Sequence, residues 1–155
     1  MDVTALDHRD SQDRALHQSV PAISSRLTRM HRSRVFGVFI DTTTVDSPKA
    51  VTFWSAALGV PARAAVGQEQ FTMLPGALPD LVLGVQAVDD APRYHVDIET
   101  DDVDAEVARL LALGATKVSR WLDCQVLRAP GGHLLCVIPV HSNEDAFLAR
   151  AQTWE

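Results

Sequence analysis

Hydrophobic and polar residues alternate in several short stretches of the chain, with two helical patterns between them. VFGVFID at residues 35–41 and YHVDIET at residues 94–100 have the two-residue period of strands. Residues 46–59 and 101–114 favour helices that open on acidic residues and end on glycine. Three more strand candidates follow each helix, at residues 61–66, 70–74 and 80–86 in the first half and at residues 116–120, 123–129 and 133–140 in the second.

The two halves repeat at a fixed spacing. Asp46 and Asp101, where the predicted helices begin, are 55 residues apart, and Gly59 and Gly114, where they end, keep the same separation. A constant offset between corresponding elements is the mark of an internal repeat. The sequence therefore predicts an α+β fold with two tandem βαβββ modules, joined by a short linker at residues 87–93.

Both ends of the chain lie outside this repeat. Residues 1–33 are predicted to be an N-terminal extension, with a short helix near residues 20–31. That helix is predicted because apolar residues recur at spacings of three and four positions, at Leu16, Val20, Ile23, Leu27 and Met30. Residues 141–155 are predicted to form a polar C-terminal tail or a short closing helix.

Charge is unevenly distributed along the 155 residues. The first 34 residues hold four acidic and six basic side chains, which leaves 16 acidic and 8 basic ones in the rest, a net charge of −8. A domain with this excess of negative charge repels nucleic acid and favours neutral or cationic ligands. No apolar run approaches the roughly 20 residues that span a bilayer, so we expect no membrane partner. We predict a cytoplasmic protein in which Cys124 and Cys136 stay reduced.

Three segments together resemble a known group of proteins. They are FWSAALGV after the first strand, YHVDIETDDVDAEVARLLALGA in the second half, and VLRAPGGHLLCVIP near the end. They resemble the vicinal oxygen chelate superfamily, in its glyoxalase-like, bleomycin-resistance-like branch, over residues 35–140. The resemblance implies that modules 34–86 and 93–140 form an open, curled mixed sheet around a cleft. It also implies a small-molecule ligand in that cleft and a homodimer.

Metal-dependent members of the superfamily bind a divalent ion through four side chains, from the first and last strands of each module. His95 matches the position on the first strand of the second module. Its partner in the repeat would be Ile40, and a shift of one residue gives Phe39 or Asp41 instead. The resemblance therefore leaves the ligand on the first strand open.

The last strands of the two modules offer Gln86 and Cys136 as the remaining donors. A complete set would combine His95, Cys136, Gln86 and Asp41. This mixture of a soft thiolate with an amide and a carboxylate suits none of the metals that the superfamily commonly uses. We therefore expect no metal and no other cofactor, with His95 held by a neighbouring acid or by backbone and Cys136 packed as a small apolar side chain.

The leading hypothesis is a protein that binds a small, aromatic or cationic molecule in its cleft. The predicted ligand-binding residues are Phe39, Gln86, His95, Trp121 and Cys136. One alternative is a metal-dependent lyase, isomerase or dioxygenase in which His95 is a ligand and Asp97 or Glu99 a base. A second alternative is a metal-free isomerase or epimerase. The candidate catalytic residues are then His95 and Glu99, because their side chains share one face of the predicted strand with Asp97.

Overall fold

The computed structural model describes residues 30–155. The first module contains β1 (His31–Thr43), α1 (Ser47–Leu58), β2 (Arg63–Ala64), β3 (Phe71–Met73) and β4 (Val82–Val88). The second contains β5 (Arg93–Thr100), α2 (Val103–Ala112), β6 (Thr116–Trp121), β7 (Cys124–Arg128) and β8 (Leu134–Pro139), and is followed by α3 (Glu144–Leu148) and β9 (Gln152–Trp154). Every element predicted between residues 35 and 140 is present, so the prediction of two βαβββ modules is confirmed.

The strands form one curled, unclosed sheet in the order β2-β3-β4-β1-β5-β8-β7-β6. β1 and β5 pair antiparallel at its centre, and each also pairs in parallel with the last strand of its own module. Phe39 stands opposite His95 in the central pair. The two first strands therefore bring one module's residues directly beside the other's.

β1 approaches β4 closely at Gly37, next to a bulge in its pairing with β5. A Cβ atom at this position would lie 2.6 Å from the carbonyl oxygen of Val82, well inside contact distance. Only glycine fits there without moving the backbone. Gly37 thus allows β1 to pair closely with β4.

The helices of the two modules, α1 and α2, begin at acidic residues in different ways. Asp102 accepts a hydrogen bond from the amide of Ala105, 3.0 Å away, and so satisfies one of the free amides in the first turn of α2. Asp46 occupies the same position before α1, but its carboxylate makes no capping bond and instead accepts one from the hydroxyl of Thr43 at 2.7 Å. Asp46 therefore stabilises the turn that leads into the helix.

Each module has a small hydrophobic core between its helix and the sheet. In the first module Ile40, Leu74 and Val85 are buried beneath Trp54 of α1. The second core consists of Val107, Ala115, Leu127 and Val137, with Leu110 and Leu111 packed against it. Because neighbouring residues of a strand point to opposite faces, burial of Ile40 in a core turns Phe39 and Asp41 to the other side of the sheet.

The predicted N-terminal boundary differs from the structure, whereas the short closing helix predicted within residues 141–155 is present as α3. β1 begins at His31, so residues 31–33 belong to the sheet and not to the predicted extension. Of the helix predicted near residues 20–31, positions 20–29 lie outside the described residues, while Met30 is irregular and His31 is in a strand. The predicted tail at 141–155 contains the helix α3 and the strand β9, which pairs with residues 31–33 of β1. The sequence analysis did not predict this pairing, because the two paired segments are only three residues long and lie far apart in the chain.

A buried network of polar side chains joins β1, α2 and β9. The carboxylate of Glu106 contacts Nε2 of His31 at 2.8 Å and accepts hydrogen bonds from the hydroxyl of Ser33 at 3.0 Å and the guanidinium of Arg109 at 2.7 Å. The indole of Trp154 donates to the hydroxyl of Ser33 at 2.8 Å, and Arg109 lies 3.8 Å above the centre of its ring. The end of the chain is thereby fixed to the second module.

Replacing Trp154 by alanine should lower the free energy of unfolding by about 2 kcal/mol. The variant loses the hydrogen bond to Ser33 and the stacking on Arg109 together. Urea denaturation gives the value, with Thr153→Ala as the control because Thr153 is exposed on the same strand. Equal stability of the two variants would contradict a structural role for β9.

Among the described residues, no helix has the length and apolar character needed to cross a membrane. The homodimer and the cytoplasmic location stay predictions from the sequence.

Candidate functional site

A cavity of about 390 Å³ lies on the face of the sheet opposite the two cores. Strands of both modules line it, together with the turn between β6 and β7. All five residues predicted to bind a ligand are part of its lining, namely Phe39, Gln86, His95, Trp121 and Cys136. The structure thus brings the predicted set together in one space large enough for a small organic molecule.

Aromatic rings form the wall on the side of the first module. Phe39 stacks on the imidazole of His95, with ring centres 5.3 Å apart and planes inclined by 12°. Phe71 meets the edge of Phe39 at a centre distance of 5.5 Å. Gly84 makes room for this arrangement, since a Cβ atom there would lie 2.7 Å from the Phe39 ring. The sequence therefore provides a flat apolar surface beside the central histidine.

His95 is 6% exposed and is held between two carboxylates. Its Nδ1 atom lies 2.9 Å from Asp41 Oδ1, and its Nε2 atom lies 3.3 Å from Asp97 Oδ1. Burial alone would lower the pKa of His95, but the contacts with Asp41 and Asp97 outweigh it and raise the pKa to about 9. At neutral pH the ring is therefore an imidazolium ion between two negative charges.

Glu99 shares the face of β5 with His95 and Asp97 but does not line the cavity. Its carboxylate is completely buried and accepts hydrogen bonds from the amides of His141 and Ser142 at 2.9 Å and from the Ser142 hydroxyl at 2.6 Å. Arg34 lies 2.8 Å from the same carboxylate. Glu99 therefore fastens β5 to the segment after β8.

Two free thiols, Cys124 of β7 and Cys136 of β8, lie in the wall formed by the second module. A hydrogen bond between the thiols lowers the pKa of Cys124 and raises that of Cys136, and the pKa of Cys136 is raised further by burial. Cys136 stands directly beside Asp97 in the parallel pairing of β5 and β8. Sulfur, imidazole and carboxylate thus meet on one part of the wall.

The mouth of the cavity is formed by the turn between β6 and β7. Trp121 is 49% exposed there, and Asp123 follows two residues later. Leu122, between them, has a φ of 51°, in the left-handed region that a residue with a Cβ atom seldom adopts. Such strain recurs in binding loops, where the surrounding structure holds a residue in place.

The four positions that bind metal in the superfamily do not bring matching donors together from both modules. On β1, Phe39 stands opposite His95 and contributes only carbon. Asp41, the other candidate on that strand, contacts Nδ1 of His95 and does not line the cavity. It therefore cannot share an ion bound to Nε2 on the cavity side. Gln86 and Cys136 are left as an amide and a thiol without a second hard donor from β1.

Several residues that line the cavity were not among the predicted binding residues. Phe36 and His141 form a pair of rings with centres 5.8 Å apart near Pro139, and Cys124 faces Cys136. The position of Cys124 could have been predicted from the turn at Pro130–Gly132. A hairpin at this turn places Cys136 opposite Val126, two residues from Cys124. The orientation of Phe36 could not have been predicted from the sequence pattern, because it follows from the bulge in β1.

Two βαβββ modules around a cleft of ligand size define the class of this protein as a vicinal oxygen chelate fold. Within that superfamily the chain belongs to the glyoxalase-like domain family, whose model matches residues 37–138. No curated protein matches the sequence.

A solved structure with a TM-score above 0.5 supports the fold. A methylmalonyl-CoA epimerase in complex with methylmalonyl-CoA and NH4+ is 19% identical, with a TM-score of 0.52, and the match covers 72% of this chain and 96% of the other. The methylmalonyl-CoA epimerase of Mycobacterium tuberculosis is 18% identical, with a TM-score of 0.48 and coverages of 72% and 91%. At 19% identity the first of these similarities shows the fold alone.

Proposed function

We propose that this protein binds a small molecule with an aromatic ring and a positive charge, and that binding requires no metal ion. The observation that carries the proposal is the composition of the cavity wall. Phenylalanine and tryptophan rings lie beside the carboxylates of Asp97 and Asp123, and none of the described residues that line the cavity is lysine or arginine. A cavity of this kind disfavours anions and suits an aromatic cation.

The charges around the cavity favour a single positive charge on the ligand. Arg93 and the His95 imidazolium both contact Asp41, which lies behind the wall, and His95 also contacts Asp97. The cavity lining itself thus contains one imidazolium, His95, and the two carboxylates of Asp97 and Asp123. One negative charge is left over, in a space partly shielded from water, where charge interactions are stronger than on the surface.

The aromatic groups would hold the flat part of the ligand. Phe39 is 2% exposed and is fixed by its contacts with Phe71 and His95, so it forms a rigid backing for the aromatic wall. Trp121 is half-exposed at the mouth and can cover the other face of a planar ring. Gln86 adds an amide that can donate or accept one hydrogen bond within the cleft.

A metal-free isomerase or epimerase is less well supported by the same site. Such an enzyme needs a base that is free to accept a proton from the substrate. His95, with its pKa raised to about 9, already holds its proton at neutral pH. Glu99 already accepts three hydrogen bonds and lies outside the cavity lining. Neither candidate catalytic residue is therefore suited to act as that base.

The test compares three planar probes of similar size that differ in charge: N-methylquinolinium, quinoline and quinoline carboxylate. Titration calorimetry in the presence of EDTA should give the tightest binding for the cation, about tenfold or more above the anion. Equal binding of all three probes, or loss of binding when EDTA is added, would overturn the proposal.

Replacing Trp121 by alanine should weaken N-methylquinolinium binding about tenfold, because the cation loses a ring to stack on. Tyr94→Ala is the matched control, since Tyr94 is an exposed aromatic residue of β5 outside the cavity lining. Both variants are measured by the same calorimetric titration. Equal affinities in the two variants would place the probe outside the cleft.

A further inference from the structure

We propose that the wall of the cleft formed by the second module contains a site for one thiophilic divalent cation, of the Zn²⁺ or Cd²⁺ class. Its ligands are His95, Asp97 and Cys136, with Cys124 as the fourth. This inference goes beyond the proposed binding of an organic molecule and does not depend on it. It rests on donor atoms that three neighbouring strands, β5, β8 and β7, present to the same space.

Three of the donors already lie close together. One ligand atom each from His95, Asp97 and Cys136 can be chosen such that all lie within 4.8 Å of one another. The ligands of a tetrahedral zinc ion, bound at about 2.0–2.3 Å, are about 3.3–3.8 Å apart. Small rotations of side chains are therefore enough to close the set around an ion.

Cys124 completes the set from the adjacent strand. The register of β7 and β8 places Val126 opposite Cys136, so Cys124 is its diagonal neighbour on the same face. Diagonal neighbours are about 7–8 Å apart at Cα, longer than the 4.4–6.8 Å span of a usual disulfide. Two sulfur atoms bound to one zinc ion need to approach only to about 3.8 Å. The pairing thus fits a shared ion better than a disulfide bond.

The surroundings of His95 prepare its cavity-side nitrogen to bind a metal. Asp41 contacts the opposite nitrogen, Nδ1, at 2.9 Å, while Nε2 points towards Asp97. A carboxylate behind a histidine in this way fixes the ring and increases its basicity as a ligand, an arrangement that recurs in zinc sites. Asp41 thus takes a supporting role here, instead of the ligand role that the superfamily's pattern suggested for it.

Asp97 supplies independent support. It is 8% exposed, and the contact that its buried Oδ1 atom makes with Nε2 of the His95 imidazolium is long, at 3.3 Å, and outside hydrogen-bond geometry. Buried carboxylate oxygens normally have better partners. A cation between Asp97, His95 and Cys136 would satisfy this oxygen and replace the proton on the ring.

The donor set also selects the kind of ion. Two thiolates and an imidazole favour zinc, cadmium and cobalt, whereas magnesium and calcium require oxygen ligands. All four donors belong to the second module, and β1 contributes only Asp41 behind His95. The site shares His95 and Cys136 with the superfamily's pattern but has Asp97 and Cys124 in place of the two ligands from the first module.

The test titrates Co²⁺ into the full chain, reduced and freed of metal, at mildly alkaline pH because the ion must displace protons from its ligands. We expect one equivalent to produce a sulfur-to-cobalt charge-transfer band with the visible d–d bands of tetrahedral cobalt. Zn²⁺ should abolish these bands and Mg²⁺ should not. A spectrum of octahedral Co²⁺ without charge transfer, or displacement by Mg²⁺, would overturn the proposal.

Variants identify the ligands. Cys136→Ser should weaken Co²⁺ binding more than about 100-fold, and Asp97→Asn and Cys124→Ser should each weaken it at least about tenfold. His133→Ala is the matched control, because His133 lies outside the cavity lining, and it should bind as the parent chain does. Circular dichroism confirms that each variant is folded. Unchanged affinity in folded Cys136→Ser would refute the site.

The metal site and the proposed function are tested separately. No organic ligand is present in the cobalt titration, so its failure leaves the proposed function standing. Failure of the calorimetric titration, which contains EDTA, likewise leaves the metal site standing.

Discussion

Replacing Glu106 by alanine should lower the free energy of unfolding by about 3–5 kcal/mol, the largest effect that we expect from a single substitution. Glu106 has no exposed surface, and its carboxylate contacts His31, Ser33 and Arg109 at once. Alanine would leave the guanidinium without its partner beside Trp154 and the other two side chains without their acceptor. Removing one partner of a buried ion pair destabilises a protein more than replacing both partners, because the charge that remains is buried without compensation.

Urea denaturation provides the measurement, with Asp104→Ala as the control. Asp104 is an exposed carboxylate in the first turn of the same helix, so removing it alters the charge without breaking a buried contact. Glu106→Gln keeps the shape and should fall between the two. If Glu106→Ala were within about 1 kcal/mol of Asp104→Ala, the network would not hold β1, α2 and β9 together as described.

The second large effect is a loss of stability at alkaline pH that depends on His95. The pKa of His95 is about 9 in the folded protein, against 6.5 for the ordinary side chain. Because the folded state binds the proton more tightly, the stabilisation is complete below about pH 6.5 and is lost as the pH rises through about 9. The difference in pKa corresponds to a contribution on the order of 3 kcal/mol.

This prediction is tested by the difference in unfolding free energy between the parent chain and His95→Gln, measured with EDTA from pH 6 to about pH 10. The difference should shrink by roughly 3 kcal/mol over that interval, since the variant has no imidazolium to lose. Both proteins carry Cys124→Ser, because the charge of His95 also lowers the pKa of the Cys124 thiol. A difference that stays constant would mean that Asp41 and Asp97 do not hold the proton on His95.

The sequence by itself determined the order of the elements and the residues that face the cleft. Alternation in YHVDIET set the orientation of His95 and Asp97, and the 55-residue repeat between Asp46 and Asp101 fixed two equivalent modules. These features are local, because periodicity, helix ends and turns depend on neighbours within a few residues. The prediction that Phe39, Gln86, Trp121 and Cys136 share one cleft rested instead on the resemblance to the vicinal oxygen chelate superfamily, because these residues lie on four different strands.

The tertiary structure decided which side chains touch. The repeat alone paired His95 with Ile40, and only the antiparallel register of β1 and β5 placed Phe39 opposite it and Asp41 against its far nitrogen. A shift of one residue in the pairing moves every side chain of a strand to the other face of the sheet. A small insertion in one module therefore changes which side chains face His95. The pairing of β9 with β1 and the approach of Cys124 to Cys136 likewise join residues that are distant in the chain, and no local pattern carries that information.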